Sequence, residues 1–460
     1  MKRRHFFGKA TAFAGVSSAL ISSSFLSSCS SNKTAGNGDK PNIIIIVLDD
    51  AGWGDVGYHG SKIKTPNIDL MTTEGIELDR FYVNPTCSPT RAALLTGKPA
   101  SRSGILSPIN YNQTHSLPAD TFTIADMLAH QGYDTTISGK WHLGWGPEAV
   151  PNNYGFNSSY GFLHGWLDQY THLTREEIKT WHRDGRFLEE NGHATDLIVD
   201  NAIDYVKNTR DKTKPFFLYL PFSVPHLPLQ EESSRIDPYE GVLETESERF
   251  YAASMTHVDD AIGKILSVLD GEDIGEHTLI IFFSDNGATA SGKKNYLQPP
   301  PTINTTSDFS KFGNNLPLRG WKGGLYEGGI RVPAFISWPG KLNTRKVSET
   351  ISVYDIFPTL AHLTGADIAE YSGVEGINFW SALSGEALPE NRIIYWRTPQ
   401  GMAVRKGGWK LIHNGKAPEE GTDELYNVDE DPYEERDLAG ENTAMLAEMK
   451  AALAENFSLD

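Results

Sequence analysis

Cysteine is nearly absent from this sequence: 460 residues contain only two, Cys29 and Cys87. That excludes a disulfide-stapled scaffold and a cysteine-ligated zinc fold. Each of the two has its own competing chemistry, so no disulfide is expected. Positive charge is also scarce, with 41 lysines and arginines against 59 aspartates and glutamates and a net charge of −18. A nucleic-acid-binding surface needs a basic footprint, so that class of partner is excluded. Past the first residues no apolar run is long enough to span a bilayer. No self-similar period marks a solenoid or propeller. What remains is an ordinary globular composition, 39% apolar and 22% charged, in a chain long enough to bury a large core. The 43 glycines and 25 prolines indicate many loops on an enzyme-like scaffold rather than a helical bundle.

The N-terminus has the grammar of an export signal. Lys2, Arg3, Arg4 and Lys9 precede or enter a modestly apolar stretch from Ala10 to Leu26. Arg3-Arg4-His5-Phe6-Phe7-Gly8-Lys9 resembles a twin-arginine signal. Leu26-Ser27-Ser28-Cys29 is similar to a bacterial lipobox, in which Cys29 would be lipidated and become the new N-terminus. Residues 1–28 are therefore assigned to a lipoprotein-type signal peptide and 29–40 to a polar tether. The expected location is the periplasm or cell surface, with a lipid anchor on Cys29.

Asn42 to Leu48 is a continuous β-branched run, the pattern of a strand buried on both faces of a mostly parallel sheet. Asp49 and Asp50 follow at once. Thr278 to Phe283 likewise runs into Ser284-Asp285-Asn286-Gly287, and Pro215 to Leu220 leads toward His226. Ligand sites in open α/β sheets lie at the carboxyl ends of the strands, so these three strands predict one shared site. Thr123 to His130 and Ala252 to Leu269 read as helices, Asp134 to Ser138 as a strand, and Trp181 to Leu188 as a hairpin turning at Asp184-Gly185. Beyond about Arg345, short strand-like pieces at 401–404, 409–412 and 424–428 precede an acidic helix at 441–456. The expected organisation is a catalytic domain over 41–344 and a smaller C-terminal domain over 345–460.

The sharpest pattern is Cys87-Ser88-Pro89-Thr90-Arg91, continued by Ala92-Ala93-Leu94-Leu95-Thr96-Gly97. It resembles the maturation signature of type I, formylglycine-dependent sulfatases. The stretch from Gly132-Tyr133 to Gly139-Lys140-Trp141-His142 resembles that family's second signature. Leu318 to Gly329, around Lys322, is similar to its lysine-bearing loop, and Glu424 to Glu435 to its closing segment. Thr90 and Lys98 depart from the commonest residues of the pattern, at positions that carry no chemistry. The resemblance runs in order from about Pro41 to about Asp437. It implies an alkaline-phosphatase-like fold: α/β, with a large mostly parallel mixed sheet flanked by helices, and a smaller C-terminal α+β domain containing an antiparallel sheet.

By the same resemblance, a formylglycine-generating maturation enzyme oxidises Cys87 to 3-oxoalanine (formylglycine), whose hydrated gem-diol attacks sulfur and expels the alcohol. The second hydroxyl then lets sulfate leave as the aldehyde returns, which a plain alcohol cannot do. Asp49, Asp50, Asp285 and Asn286 are hard oxygen donors at the family's metal positions, with the modified Cys87 completing the set. They suit calcium, with magnesium second, and lack the nitrogen and sulfur ligands zinc prefers. Arg91, four residues after Cys87, is expected to orient the diol. Lys140 and Lys322 are expected to bind the sulfate and stabilise developing charge. His142 is the candidate base for the second step. His226 is expected to contact substrate and help protonate the leaving oxygen, a role it can exchange with Lys322.

The implied activity is hydrolysis of sulfate esters, with a sulfated carbohydrate as the expected substrate. By the same resemblance the segments 164–181 and 289–316 fall where family members vary, and Trp166, Tyr170, His172, Trp181, His182 and Arg183 could stack on a sugar or pair with a second anionic substituent; the alternative is that the aromatics are local core. Two other classes compete. A phosphodiester or phosphonate monoester hydrolase of the same superfamily can share the fold and the formylglycine. The superfamily's two-zinc phosphatases, however, need further histidine and aspartate ligands, and the sequence displays no second set. A non-catalytic glycan-binding lipoprotein would have lost metal or sulfate residues, and none is missing.

Overall fold

The structure, a computed structural model, describes residues 40–110, 115–289, 312–389 and 391–460. The expected signal peptide, nearly all of the tether with Cys29, and most of the loop 289–316 lie outside the described residues. Ten strands form one mixed sheet. In chain order they are β1 (Asn42–Leu48), β2 (Ile76–Tyr82), β3 (Asp134–Lys140), β4 (Ser158–Phe162), β5 (Trp181–Arg183), β6 (Arg186–Phe187), β7 (Phe216–Pro221), β8 (Thr278–Ser284), β9 (Ala334–Ser337) and β10 (Arg345–Ser352). Their spatial order is β10-β2-β9-β8-β1-β7-β3-β4-β5-β6. A second, antiparallel sheet contains β11 (Ile393–Arg397), β12 (Met402–Lys406), β13 (Trp409–Asn414) and β14 (Thr422–Asn427).

β1 lies in the interior of the large sheet, parallel to both β7 and β8. Ile43, Ile45 and Val47 enter the core on one face, while Ile44, Ile46 and Leu48 enter the core on the other. Neither face meets water, which is why the run has no polar alternation. The helix Glu246–Gly271 covers one face and buries the stripe Met255, Val258, Ile262, Ile265 and Leu269 that its periodicity predicts. The helices Cys87–Thr96 and Ile356–Thr364 pack into the opposite core. β5 and β6 form the hairpin expected at Asp184-Gly185.

β10 pairs in parallel with β2, so the change of texture near Arg345 falls within the chain of the large sheet. Its sequence, Arg-Lys-Val-Ser-Glu-Thr-Ile-Ser, is that of an edge strand with one neighbour and one wet side. The small sheet begins at Ile393 and packs with the helix Thr443–Ser458 over Val404, Leu411, Leu425, Met449 and Leu453. No described helix is long and apolar enough to cross a membrane.

A buried ion triad joins the two sheets. Lys410 of β13 donates to Glu327 at 2.9 Å and Glu434 at 2.8 Å, and all three side chains are shut off from solvent. The Tyr82 hydroxyl of β2 also donates to Glu327, at 2.7 Å. Burial disfavours both carboxylates. Lys410, Arg405 and Arg331 nevertheless hold Glu327 down at about 2. Glu434 is pushed up by burial, and the charge of Glu327 adds to that against the pull of Lys410. Removing the shared ammonium strands two carboxylates in a medium of low dielectric. Lys410→Met, which keeps the volume, is expected to cost about 3–5 kcal/mol, read as a lowered guanidinium midpoint. An unmoved midpoint would contradict a load on this triad.

Candidate active site

Leu48 and Ser284 are partners in the β1–β8 register, so the residues that follow them emerge side by side. The Asp285 N–H donates to the Leu48 carbonyl at 2.9 Å, and the Asp50 N–H donates to Asp285 Oδ1 at 3.3 Å. Asn286 Nδ2 donates to Asp50 Oδ1 at 2.7 Å. Asp49, Asp50, Asp285 and Asn286 are therefore one buried group at the carboxyl edge of the sheet. Asp50 adopts φ 73°, a left-handed conformation that aspartate tolerates better than most side chains.

Each carboxylate faces its own cation. Lys140, the last residue of β3, donates to Asp49 at 2.6 Å; Lys322 donates to Asp50 at 2.5 Å; Arg91 donates to Asp285 at 2.7 Å. The Lys322 loop is pinned on both sides, its N–H to Ala288 O at 3.0 Å and the Gly323 N–H to Pro85 O at 2.7 Å. Cys87 opens its helix beside this group, with Sγ and carboxylate oxygens of Asp49 and Asp285 within 4.8 Å of one another. Burial pushes the Cys87 thiol up, against the pull of Lys140 and Lys322. Arg91 holds protein groups on two sides. Its Nη1 donates to the Lys140 carbonyl at 2.9 Å and its Nη2 to Asp285, so it braces β3 against β8.

His142 follows β3 with φ 58°. Its Nε2 donates to the Ile109 carbonyl at 3.1 Å, which fixes the proton there and leaves Nδ1 a buried acceptor without a partner among the described residues. Burial, with the charge of Lys140, holds this imidazole well below its ordinary pKa and therefore neutral. His226 donates through Nδ1 to Leu227 O at 2.7 Å, leaving Nε2 3.9 Å from Asp50 Oδ2. Burial and the charge of Lys322 bring it down to about 3. Asp49 is pushed up to about 7 by burial and by the charges of Asp285 and Asp50, against Lys140. Asp50 is held at about 2, despite its burial, by the charge of Lys322 and by hydrogen bonds from Lys322 and Asn286. Two oxygens stand out: Asp49 Oδ1 and Asn286 Oδ1 are buried with no hydrogen-bond partner among the described residues. Buried acceptors without donors call for a cation, and this donor set of three carboxylates and an amide fits a hard one.

The residues expected to select a sugar divide. His172, Trp181 and His182 are buried; the first two stack at 4.5 Å, and Trp181 Nε1 donates to Glu190 at 2.8 Å. They are local core. Trp166 and Tyr170 are half-buried, and Arg183 is exposed over the Tyr160 ring. The segment 164–181 opens against the site: His164, just beyond β4, lies with its ring 6.1 Å from that of His142. No motif marks it.

The fold also assembles a histidine–carboxylate cluster that no sequence pattern displays, His193, Glu231 and His257, which shares no residue with the Asp49 group. Glu231 closes the loop that carries His226. His257 donates through Nδ1 to Glu231 at 2.9 Å and through Nε2 to Asp196 at 3.2 Å, tying that loop to the helices Glu246–Gly271 and Ala194–Asp204. Burial lowers the His257 pKa, but the two carboxylates outweigh it and raise the ring to about 9 from 6.5. A group raised on folding stabilises fully below its unfolded pKa, and that stability is lost as pH rises through the folded value. His257→Gln is therefore expected to lower Tm more at about pH 6 than at about pH 10, the wild-type advantage fading across the 6.5–9 window. An equal loss at both pH values would rule out the imidazolium clamp.

A large mixed sheet carrying buried acids at the carboxyl ends of adjacent parallel strands, with a buried cysteine at a helix start beside them, defines the class. The Sulfatase family model matches residues 41–366, and the chain belongs to the sulfatase family. It is 33% identical to arylsulfatase J of Mus musculus over 392 residues, covering 82% of this chain and 61% of that protein. It is 32% identical to N-acetylgalactosamine-6-sulfatase of Canis lupus familiaris over 398 residues, covering 82% of this chain and 72% of that protein. The chain thus spans less than two thirds of the length of arylsulfatase J. The crystal structure of Ps i-CgsB in complex with k-i-k-neocarrahexaose matches with a TM-score of 0.79 at 31% identity, covering 89% of this chain and 91% of that one.

Proposed function

We propose that this protein hydrolyses sulfate esters on a sulfated carbohydrate, with Cys87 in its formylglycine form and a bound calcium ion. The reading is carried by the convergence of Cys87 with three carboxylates and three cations at one end of the sheet. The three ion pairs cancel, and the chain as a whole carries −18, so neither attracts an anionic ester. A divalent ion supplies the missing positive charge. Asp49, Asp50, Asp285 and Asn286 would hold it, and Asp49 and Asn286 each keep a buried Oδ1 without a hydrogen-bond partner among the described residues. An all-protein oxygen cage is the habit of calcium, whereas magnesium keeps its waters. Calcium there would draw charge from a sulfate oxygen, and the hydrated formylglycine would offer the attacking hydroxyl.

The chain's own groups have distinct tasks in this reading. Lys140 and Lys322 bind the sulfate oxygens and offset charge that develops during transfer. His142 Nδ1, an acceptor by tautomer, takes the proton from the hydroxyl at position 87. Arg91 keeps β3 and β8 in their relative places. Of the two candidates for protonating the leaving oxygen, Lys322 is the protonated one in this arrangement, while His226 is neutral. The carbohydrate assignment draws on the relatives: one is named for N-acetylgalactosamine, and Ps i-CgsB is solved with a neocarrahexaose. In this proposal catalysis belongs to the large-sheet part from residue 41 and the four-stranded sheet to the C-terminal domain. Export and lipidation at Cys29 would put the reaction outside the cytoplasm.

Two experiments test it. The peptide containing Cys87, taken from protein made with a maturation enzyme, is expected to show aldehyde in place of thiol. Cys87→Ala should fold yet lose sulfate release by about a thousandfold or more. Full activity with an intact thiol would overturn the formylglycine assignment. Chelation is expected to abolish sulfate release and lower Tm, with calcium restoring both better than magnesium. Calcium at 100 times its Kd should add about 2.7 kcal/mol of stability. A Tm indifferent to chelator and calcium would remove the metal from the reading.

A further inference from the structure

We propose that His164 and the indole of Trp166 form a pair of hydrogen-bond donors for hydroxyl oxygens of the sugar that bears the sulfate, making the strap 163–166 the specificity element of the site. This rests on the sulfate-ester reading above and deepens it.

The strap is positioned by the sheet. β4 runs parallel to β3 with Phe162 opposite Lys140. Past the sheet edge the pairing continues, with the Trp141 N–H donating to Phe162 O at 2.9 Å and the His142 N–H donating to Leu163 O at 3.1 Å. His164, Gly165 and Trp166 are thereby drawn alongside His142. Gly165 lies against the imidazole itself: a Cβ there would sit 2.2 Å from His142 Cε1 and Nε2. Thr180 anchors the strap from behind, its Oγ1 accepting from the N–H groups of Leu163 at 3.1 Å and His164 at 2.9 Å.

Within the strap His164 Nδ1 lies 3.2 Å from the Trp166 N–H and 3.4 Å from the Trp166 carbonyl; the shorter contact, in which Nδ1 accepts from the N–H, is the one that puts the ring proton of His164 on Nε2. That Nε2–H and the Trp166 Nε1–H are both buried and both lack a hydrogen-bond partner among the described residues. Leaving a buried donor unsatisfied is costly, and two on one short strap beside a catalytic-type histidine need an occupant. Both are donors, so the occupant must offer acceptors, and a sugar ring offers them in its hydroxyl oxygens. The surroundings suit a sugar. Trp145 meets the His164 ring edge-on, with centroids 6.1 Å apart, and the Arg175 guanidinium lies 5.4 Å from the Trp166 ring centroid. Neither donor belongs to a motif shared with the sulfate-binding lysines, as befits residues that choose the leaving group rather than the sulfate.

The test compares two kinds of substrate on matured protein. The sugar probe is the best-cleaved member of a panel of sulfated galactose, N-acetylgalactosamine, glucosamine and fucose; the second probe is 4-nitrocatechol sulfate, which has no sugar. For His164→Ala the ratio of sugar to aryl-sulfate kcat/KM is expected to fall about tenfold, the worth of one lost hydrogen bond. His164→Gln, which restores an N–H near the Nε2 position, should recover most of that ratio. Trp166→Phe should lower it in the same sense. Losses equal on both probes would show that His164 acts through His142 or the fold, and overturn the proposal. So would an unchanged ratio. Cleavage of the aryl sulfate with no sugar sulfate cleaved overturns this inference but leaves the sulfatase reading standing, while cleavage of neither overturns both.

Discussion

The pairing of β1 with β8 is the constraint on which the rest is built. The two strands run parallel with Leu48 beside Ser284, and each then places acids beyond the sheet edge. A slip of one residue would send Asp49 or Asp285 to the opposite face, because side chains alternate along a strand. The register is secured by the two-sided burial of β1, whose six isoleucine, valine and leucine side chains fill both cores. Stability and chemistry are therefore written into the same seven residues.

Around that edge the protein spends conformational strain and desolvation to hold a compact charge array. Asp50 and His142 both have positive φ, a conformation that costs of order 1–3 kcal/mol for a residue other than glycine. Each is held by neighbours: Asp50 by Asn286 and Lys322, His142 by the carbonyls of Leu163 and Ile109. Arg91 is buried. It spans from Asp285 to the Lys140 carbonyl, so one guanidinium sets the spacing between the acid-bearing and the lysine-bearing strands. The cost of burying it is offset by its ion pair with Asp285 and its bond to the Lys140 carbonyl.

Much of this was legible in the chain. β1, β7 and β8 are apolar runs that end in polar residues, and strands buried on both faces advertise themselves in that way. Cys87, Lys140, His142 and Lys322 lie within extended motifs, and the fold brings them or their loops to one place. Other features carry no local signal. β10 is largely polar because it has a single neighbour, so its sequence does not announce a strand of the large sheet. Arg91 could be placed on the Cys87 helix face, but that its partner is Asp285, 194 residues away, depends on the sheet order. Glu327, Lys410 and Glu434 look like surface charges, since nothing in their flanks announces a buried triad. His164 and Gly165 matter only because β4 delivers them to His142.

That triad also bears on how the two sheets relate to each other. Glu327 stands five residues after Lys322, and its carboxylate is gripped by an ammonium from β13. The small sheet is thus a strut for the loop that presents Lys322 to Asp50, not a detachable appendage. A chimera that exchanged everything beyond the large sheet for the corresponding part of a relative would have to bring its own Lys410 and Glu434 in register with Glu327. Otherwise the graft would register in turnover as well as in melting.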